Sequence, residues 1–437
     1  MSLTSHQKKI ILIAIAFVAL IVVLAVFFRK ASPAPITLEF WGISDEAAVF
    51  APLIQNFQKI YPHISINYIL KDRTTYHEEL LKAFANNAAP DILMLQDNWL
   101  PYYEDKIYPL DLSKDKYFNL LDLEQTYSQL SRNETIQGNY LLGLPLYTDV
   151  LALYYNQDIF DYYNVILPPT TWEEILNLIP SLRRVNPRGQ ITRAAIALGS
   201  ASNVEWETDI ISALMMQYGS GIVDTSKKQA TFHLNTEIGG NRIVPGKEAL
   251  SFYVQFVDPR SRYYTWNDNF DNSAIAFSRG ETVMMIGYHE AKKTIEKYGQ
   301  DLNYKISALP QFAWTPSIVN YGYTMTLAVL KNSEHPEECW DFLKFLSQKD
   351  NAQTYFLQTK NPPTRLDLIQ MHLNDLDSGI FIRQISTARN WHQYNFEEIQ
   401  LIFEEMIQAV ILKGEDPLKA VNTAKDRINY FWQNEKF

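Results

Sequence analysis

GLPLYTDVLALYYNQDIFDYYNVILPPTTWEEI, residues 143 to 175, decides the fold of this chain. Gly143-Leu144-Pro145 closes one unit, Val150 to Tyr155 reads as a strand, and Pro168-Pro169-Thr170-Thr171-Trp172-Glu173-Glu174 reads as a loop feeding a capped helix. Thr170 or Thr171 can accept from the unpartnered amides of the first turn, and Glu173 and Glu174 sit where the helix dipole favours carboxylates. No flexible linker separates the two units. A strand that leaves one body and directly enters another makes a cleft rather than a tether, and clefts between bodies are where small ligands are held.

Toward the N-terminus, Ile36 to Trp41 alternates as a strand does, Ala47 to Tyr61 has the period of an amphipathic helix, and Ile64 to Leu70 alternates again. Tyr76 to Asn86 reads as helix and Asp91 to Leu95 as a short apolar strand. That succession is the signature of parallel βαβ units. Ligands of open parallel sheets sit beyond the carboxyl ends of the strands, which selects Trp41, the residues just after it, and Asp97-Asn98-Trp99. Toward the C-terminus, Ala194 to Gly199 reads as a buried strand, Glu205 to Tyr218 and Lys247 to Val257 as helices, and Tyr263 to Phe270 as an acidic, aromatic loop. Val283 to Ile286 and Thr324 to Leu330 read as further strands, the second mostly apolar and central. From Pro336 onward the pattern is mainly helical, with breaks at Asn361-Pro362-Pro363 and Gly414.

At 437 residues the chain exceeds one ordinary core and predicts two large lobes or three smaller ones. An apolar fraction of 47% with 13% aromatics excludes disorder. Cys339 is the one cysteine, so no intramolecular disulfide and no cysteine metal cluster can form, and within EECWDFLKFL it reads as a plain buried side chain. Ile10 to Phe28 is an apolar run between Lys8-Lys9 and Arg29-Lys30, and about 20 residues suffice to span a bilayer. Its exit, Val26-Phe27-Phe28-Arg29, lacks a small-residue cleavage site, so it reads as an uncleaved anchor in preference to the alternative, a cleaved secretory signal. Residues 1–9 then form a cytoplasmic N-terminus, 10–28 a transmembrane helix and 29–35 a proline-stiffened spacer, with the rest exported. The chain's net charge of −10 becomes −14 for the exported part once the four bases of the first thirty residues, which hold no acids, are set aside. Nonspecific binding to nucleic acid or anionic lipid is therefore not expected.

Several catalytic signatures fail on inspection. His77-Glu78 and His289-Glu290 open like zinc-protease helices, but Leu81 and Lys293 stand where the second histidine belongs. No GxSxG elbow, phosphate-binding GxxxxGK[ST] loop or GxGxxG fingerprint occurs. Glycoside hydrolysis needs only two neighbouring carboxylates, and 49 acidic residues supply pairs without singling one out. The positive signal is aromatic. Trp41, Trp99, Trp206, Trp266 and Trp391, with Tyr147, Tyr288, Tyr321 and Tyr323, fall mostly at strand ends, loops and helix starts. Such faces stack on pyranose rings while nearby Asp, Asn and Arg groups satisfy the hydroxyls. Ordinary packing is the competing role for each, since large aromatics are heavily buried on average.

The segments ITLEFWG (36–42), FQKIYPHISINY (57–68), AFANNAAPDILML (83–95), GLPLYTDVLALYYNQDIF (143–160), PPTTWEEI (168–175), FSRGETVMMIG (277–287), CWDFLKFLS (339–347) and NPPTR (361–365) follow one another in this order. In that order the chain resembles the extracellular solute-binding proteins of ABC transporters, in particular the family 1 group that includes many sugar binders. The resemblance implies an α/β, two-lobed periplasmic-binding-protein-like fold of type II, each lobe a mainly parallel sheet flanked by helices, following the N-terminal transmembrane helix. Residues 36–147 and 275–330 would form lobe one, and 148–274 and 331–437 lobe two. By position, Trp41 and Asp97 would meet ligand from the first lobe, Trp206 and Trp266 from the second, and Tyr288 and Tyr321 near the cleft. Tyr147 would stand at the hinge mouth, with Tyr323 and Trp391 completing the set. The usual lipobox cysteine is absent, which bears on attachment rather than fold. The implied function is a membrane-tethered, extracytoplasmic receptor, monomeric and without cofactor, metal or catalytic residue. It would capture a carbohydrate and deliver it to ABC permease subunits. A polyamine, metal or peptide receptor, a glycan-degrading enzyme and a sensor without a permease stand as alternatives.

Overall fold

Alternation in the first segment produces a strand with one buried face, Leu38 and Phe40 being fully buried. The computed structural model describes residues 34–315 and 317–434, with Ser5, Ile11, Leu12, Ala14 and Ile15 of the N-terminal stretch. Those four residues of the apolar run are helical, and the rest of the expected anchor at 10–28 lies outside the described residues. Among the described residues no helix is long and apolar enough to cross a membrane.

In chain order the principal strands are β1 Ile36–Gly42, β2 Ile64–Leu70, β3 Ile92–Gln96, β4 Leu144–Val150, β5 Ala152–Asn156, β6 Ile191–Ala197, β7 Thr282–Gly287, β8 Tyr304–Ala308 and β9 Asn320–Val329. The principal helices are α1 Ala47–Ile60, α2 Tyr76–Ala85, α3 Trp172–Leu182, α4 Glu207–Gln217, α5 Ala291–Tyr298, α6 Pro336–Ser347, α7 Lys349–Thr359, α8 Phe396–Lys413 and α9 Pro417–Asn434. One sheet runs β9-β3-β1-β2, with β4 also on β9 and the short strand Ala388–Arg389 at its edge. The other runs β8-β5-β7-β6 and ends on Arg184–Val185. The expected two-lobed α/β architecture is thus present, one sheet to each lobe.

Strand β1 is parallel to β2 and β3, as the βαβ pattern requires, while β9 is antiparallel to β3 and β4. In the second sheet only β6 and β7 form a parallel pair, and β5 is antiparallel to β7 and β8. The expectation of mainly parallel sheets is corrected there. Strands that enter a lobe through the crossing must run against those that leave it. The same crossing redraws the expected lobe boundaries. Strands β7 and β8, assigned with residues 275–330 to lobe one, hydrogen-bond in the second sheet. Helices α6 and α7, assigned with residues 331–437 to lobe two, pack on the first, Phe342 and Phe345 lying 5.1 and 5.5 Å from Phe57 of α1 and Tyr355 lying 5.8 Å from Phe50. Cys339 is fully buried on α6, and burial pushes its thiol up to about 12, consistent with an inert core side chain.

The opening stretch of the sequence is the first crossing. β4 ends at Val150 and β5 begins at Ala152, so Leu151 alone separates the two sheets. The second crossing runs from the end of β8 at Ala308 to the start of β9 at Asn320. The crossings are tied by one buried amide pair. Asn320 Nδ2 donates to the Leu151 carbonyl at 2.8 Å and to Gln384 Oε1 at 2.9 Å, which also accepts from the Leu309 amide at 2.9 Å. Beside them the buried Asp149 carboxylate accepts from the amides of Val150, His289 and Glu290, fastening β4 to the turn after β7. The helix start read at Thr171 is a full capping box: Thr171 Oγ1 accepts from Glu174 N at 3.2 Å, and Glu174 Oε2 accepts from Thr171 N at 3.1 Å.

Asn320→Ala strands the Leu151 carbonyl in a buried site and removes one of the two bonds to Gln384 Oε1. A loss of about 1–3 kcal/mol in unfolding free energy is expected, measured by urea denaturation.

Candidate functional site

The carboxyl ends of the parallel strands from both sheets face one space, a cavity of about 770 Å³. From the first lobe come Ile43 and Ser44 after β1, Arg73, Thr74 and His77 after β2, and Gln96, Asn98 and Trp99 at the end of β3. From the second come Asn203 to Asp209, in the loop after β6 and the first turn of α4, and Glu290 and Lys293 after β7. Helix α8 and the residues before it add Gln393, Phe396, Glu397 and Glu404. The chain folds so that each short loop after a parallel strand empties into this space, the geometry open α/β sheets use for ligands.

Trp206 is the distinctive residue of the cavity. It is the N-cap of α4 with φ 61° and ψ 29°, a left-handed conformation that costs a bulky residue on the order of 1–3 kcal/mol. Packing holds it there. The Tyr288 ring meets it edge to face at 5.5 Å, and a Cβ on Gly287 would lie 2.9 Å from Trp206 Cζ3. Glycine at 287 therefore leaves room for the indole. Tyr288 is fixed in turn, its hydroxyl donating to Asp209 Oδ2 at 2.8 Å and its carbonyl accepting from Tyr154 Oη at 2.6 Å.

Several contacts bridge the cavity. Arg73 pairs with Glu290 at 2.5 Å, Lys293 Nζ donates to the Ser44 carbonyl at 2.5 Å, and Asn98 Nδ2 donates to Gln393 Oε1 at 3.2 Å. Trp99 stacks on Phe396 with centroids 4.7 Å apart, and His77 Nε2 lies 3.2 Å from Glu397. On the second lobe three carboxyls stand close together in the chain. Burial raises Glu205 and Glu207 to about 7, and raises Asp209 to about 6 against the opposing hydrogen bond from Tyr288. Arg73 opposes the shift at Glu205 and Asp209.

Of the residues singled out in the sequence, Trp206 lines the cavity, as do Asn98 and Trp99 of the wider reading. The others stand behind or beside it. Trp41 is half-buried under Lys71, whose Nζ lies 3.8 Å from the ring centroid, and does not line the cavity. Asp97 is buried and accepts from Asn390 Nδ2 at 2.8 Å. Trp266 is fully buried, stacks on Phe270 at 4.6 Å and donates at 2.8 Å to Asn203, a lining residue. Tyr321 accepts at 3.2 Å from Gln393, another lining residue. Tyr147 is buried against Tyr355 and Tyr323, and Tyr323 lies 4.9 Å from Tyr288. Trp391 donates to Ser212 Oγ at 3.2 Å and stacks on Phe403, joining α4 to α8. These residues were selected for ring chemistry at element ends, and element ends also hold the rings that brace a site. The sequence reading missed Arg73, Gln96, Glu205, Glu207, Asp209 and Glu290. Charged and amide residues at helix starts are so common that nothing in the pattern separates these from caps.

The sequence profile of the bacterial extracellular solute-binding proteins matches residues 42–353. This chain belongs to that family, whose members are solute-binding proteins of ABC transporters and not enzymes, with a globular part that works outside the cytoplasm. A binding protein of Brucella abortus is 23% identical over 396 residues, covering 85% of this chain and 88% of the relative. An ABC transporter-binding protein of Deinococcus radiodurans is 22% identical over 377 residues, covering 82% and 83% of the two chains. Among solved structures, the sugar-binding protein MalE of Xanthomonas citri aligns with a TM-score of 0.70 at 20% identity, over 91% of this chain and 97% of that one. An ABC substrate-binding protein of Listeria monocytogenes in complex with cycloalternan aligns with a TM-score of 0.74 at 15% identity, over 92% and 100%. These structures share the fold.

Two outcomes follow from the site's geometry. Gly287→Ala pushes a methyl into the Trp206 ring and is expected to shift the intrinsic tryptophan emission, read by fluorescence, while the far-ultraviolet circular dichroism is retained. The raised carboxyls bind more protons folded than unfolded, so their contribution to stability is present near pH 4 and lost as pH rises through about 6 to 7. Glu207→Gln is therefore expected to flatten the fall of melting temperature between pH 5 and 8, measured by calorimetry.

Proposed function

We propose that this solute-binding protein captures a carbohydrate between its lobes and, held at the membrane by its apolar N-terminal run, hands it to ABC permease subunits. One observation carries the reading: Trp206, held in a strained conformation, lines an interlobe cavity together with Trp99 and Phe396 and with amide, carboxyl and guanidinium groups. An indole face beside hydrogen-bonding groups of both kinds is the chemistry a pyranose ring requires. Structural neighbours whose ligands include cycloalternan, maltotetraose and tagatose support it.

In this reading the first lobe is built on β1 to β4 and β9, the second on β5 to β8 with α8 and α9. Trp206 stacks on the sugar. Asp97, Trp266, Tyr288 and Tyr321 hold the lining residues, Trp391 ties α4 to α8 behind them, Tyr147 and Tyr323 pack the floor near the crossing, and Trp41 braces the rim. Ligand favours the closed arrangement because it touches both lobes at once, adding to the Arg73 to Glu290 pair, and the permease reads that closed form.

Thermal-shift titration of the full-length chain in detergent against mono- and oligosaccharides is expected to show stabilisation by a subset of them. Trp206→Ala is expected to weaken that binding by about 1–3 kcal/mol in calorimetry. No stabilisation by any sugar, or unchanged affinity in the variant, overturns the reading. The tether has its own test. The chain is expected to stay with membranes through an alkaline carbonate wash and to be released when residues 1–30 are deleted.

A further inference from the structure

The cavity between the lobes carries more negative charge than a neutral sugar needs. Glu205, Glu207, Asp209, Glu290, Glu397 and Glu404 line it, against Arg73, Lys293 and the imidazole of His77. Most of these have partners. Glu290 pairs with Arg73, Glu397 lies against His77, Glu404 accepts from Gln408 Nε2 at 2.8 Å, and Lys293 donates to the Ser44 carbonyl. Among the described residues Glu205, Glu207, Asp209 and Glu404 make no ion pair, and the first three stand together where the chain leaves β6 and enters α4. Asp209 accepts from the Tyr288 hydroxyl, and Glu207, only 8% exposed, accepts from Thr208 Oγ1 at 3.2 Å. Carboxyls in such a site are costly to ionise unless a cation joins them.

A second feature points to a ligand independently. Gln96, at the carboxyl end of β3, is 8% exposed and lines the same cavity, yet its side-chain amide has no hydrogen-bond partner among the described residues. A buried amide left open toward a cavity awaits a polar group.

We propose that the solute is a carbohydrate bearing at least one protonated amine, its ring against Trp206 and its ammonium among Glu205, Glu207 and Asp209, with Gln96 completing its polar contacts. The proposal rests on the carbohydrate reading above and adds the charge of the ligand. An indole face also attracts an adjacent ammonium, so Trp206 serves ring and charge together. When the site is empty Glu205 and Glu207 keep their protons up to about pH 7 and Asp209 up to about 6, through burial and through the neighbouring charges of Glu290 on Glu205 and Asp209 and of Asp209 and Glu404 on Glu207, with Arg73 opposing at Glu205 and Asp209. An arriving ammonium displaces those protons. Affinity for an amino sugar therefore rises with pH between 5.5 and 7.5, and affinity for a neutral one does not.

The test is calorimetric titration of the full-length chain in detergent with matched probes: neutral glucose oligosaccharides, the same oligosaccharides converted to terminal amines by reductive amination, glucosamine oligosaccharides, and spermidine. The expected result is at least tenfold tighter binding of the amine-bearing sugars than of their neutral parents, with a preference that grows toward pH 7.5 and falls at least tenfold in E207Q. Neutral parents binding as tightly as the amines overturn the proposal and leave the carbohydrate reading standing. Binding of spermidine alone, or of none of the probes, overturns both. Should E207Q fail to fold, the matched pair and its pH dependence in the natural chain still decide.

Discussion

Everything about the site depends on a single-residue passage. With only Leu151 between β4 and β5, the two sheets cannot drift apart, and the second crossing at Asn320 is bonded directly to the first. A polar tie suits such a place better than an apolar one. Its hydrogen bonds have defined directions, so the crossing strands keep their register, and burial makes each bond expensive to break. The chain passes between the lobes once more, between Arg389 in the first sheet and the helix from Phe396 to Lys413.

The cavity inherits its shape from that constraint. Because β1, β2 and β3 of one sheet and β6 and β7 of the other point their carboxyl ends at each other, loops far apart in the chain meet across about 770 Å³. Strain collects at the same place. Trp206 sits in a left-handed conformation, Gly287 gives way to it, and Tyr288 holds it through a hydroxyl committed to Asp209. A chain under no functional demand would place glycine or asparagine at such a φ. The buried carboxyls beside it are a second departure from what stability alone favours, and the two departures coincide.

Much of the fold was legible before the structure. The alternation at 36–42 and 64–70, the helix period between them, and the capping box at Thr171 are local signals with local causes, and they fold as read. The assignment of segments to lobes was less legible. β7 looks like any buried strand, β8 is half-exposed and is not read as a strand in the sequence, and nothing in Thr282–Gly287 or Tyr304–Ala308 says which sheet will pair with them. The ring residues show the same division. Trp206 and Trp266 are both tryptophans beside polar neighbours, yet one lines the cavity while the other is wholly buried behind Asn203.

The sequence by itself determined many of the strands and helices, the direct passage at residues 143–175, and the family, because these rest on periodicity, caps and motif order within short stretches; it read Val150 to Tyr155 as one strand where the chain has two, Leu144–Val150 and Ala152–Asn156, and left Tyr304–Ala308 unread. Tertiary structure alone decided which side chains share the cavity. Arg73 meets Glu290 from 217 positions away, and Asn98 meets Gln393 from 295. Contacts of that span leave no local pattern, since the energy that selects them comes from the packing of two whole lobes around a one-residue crossing.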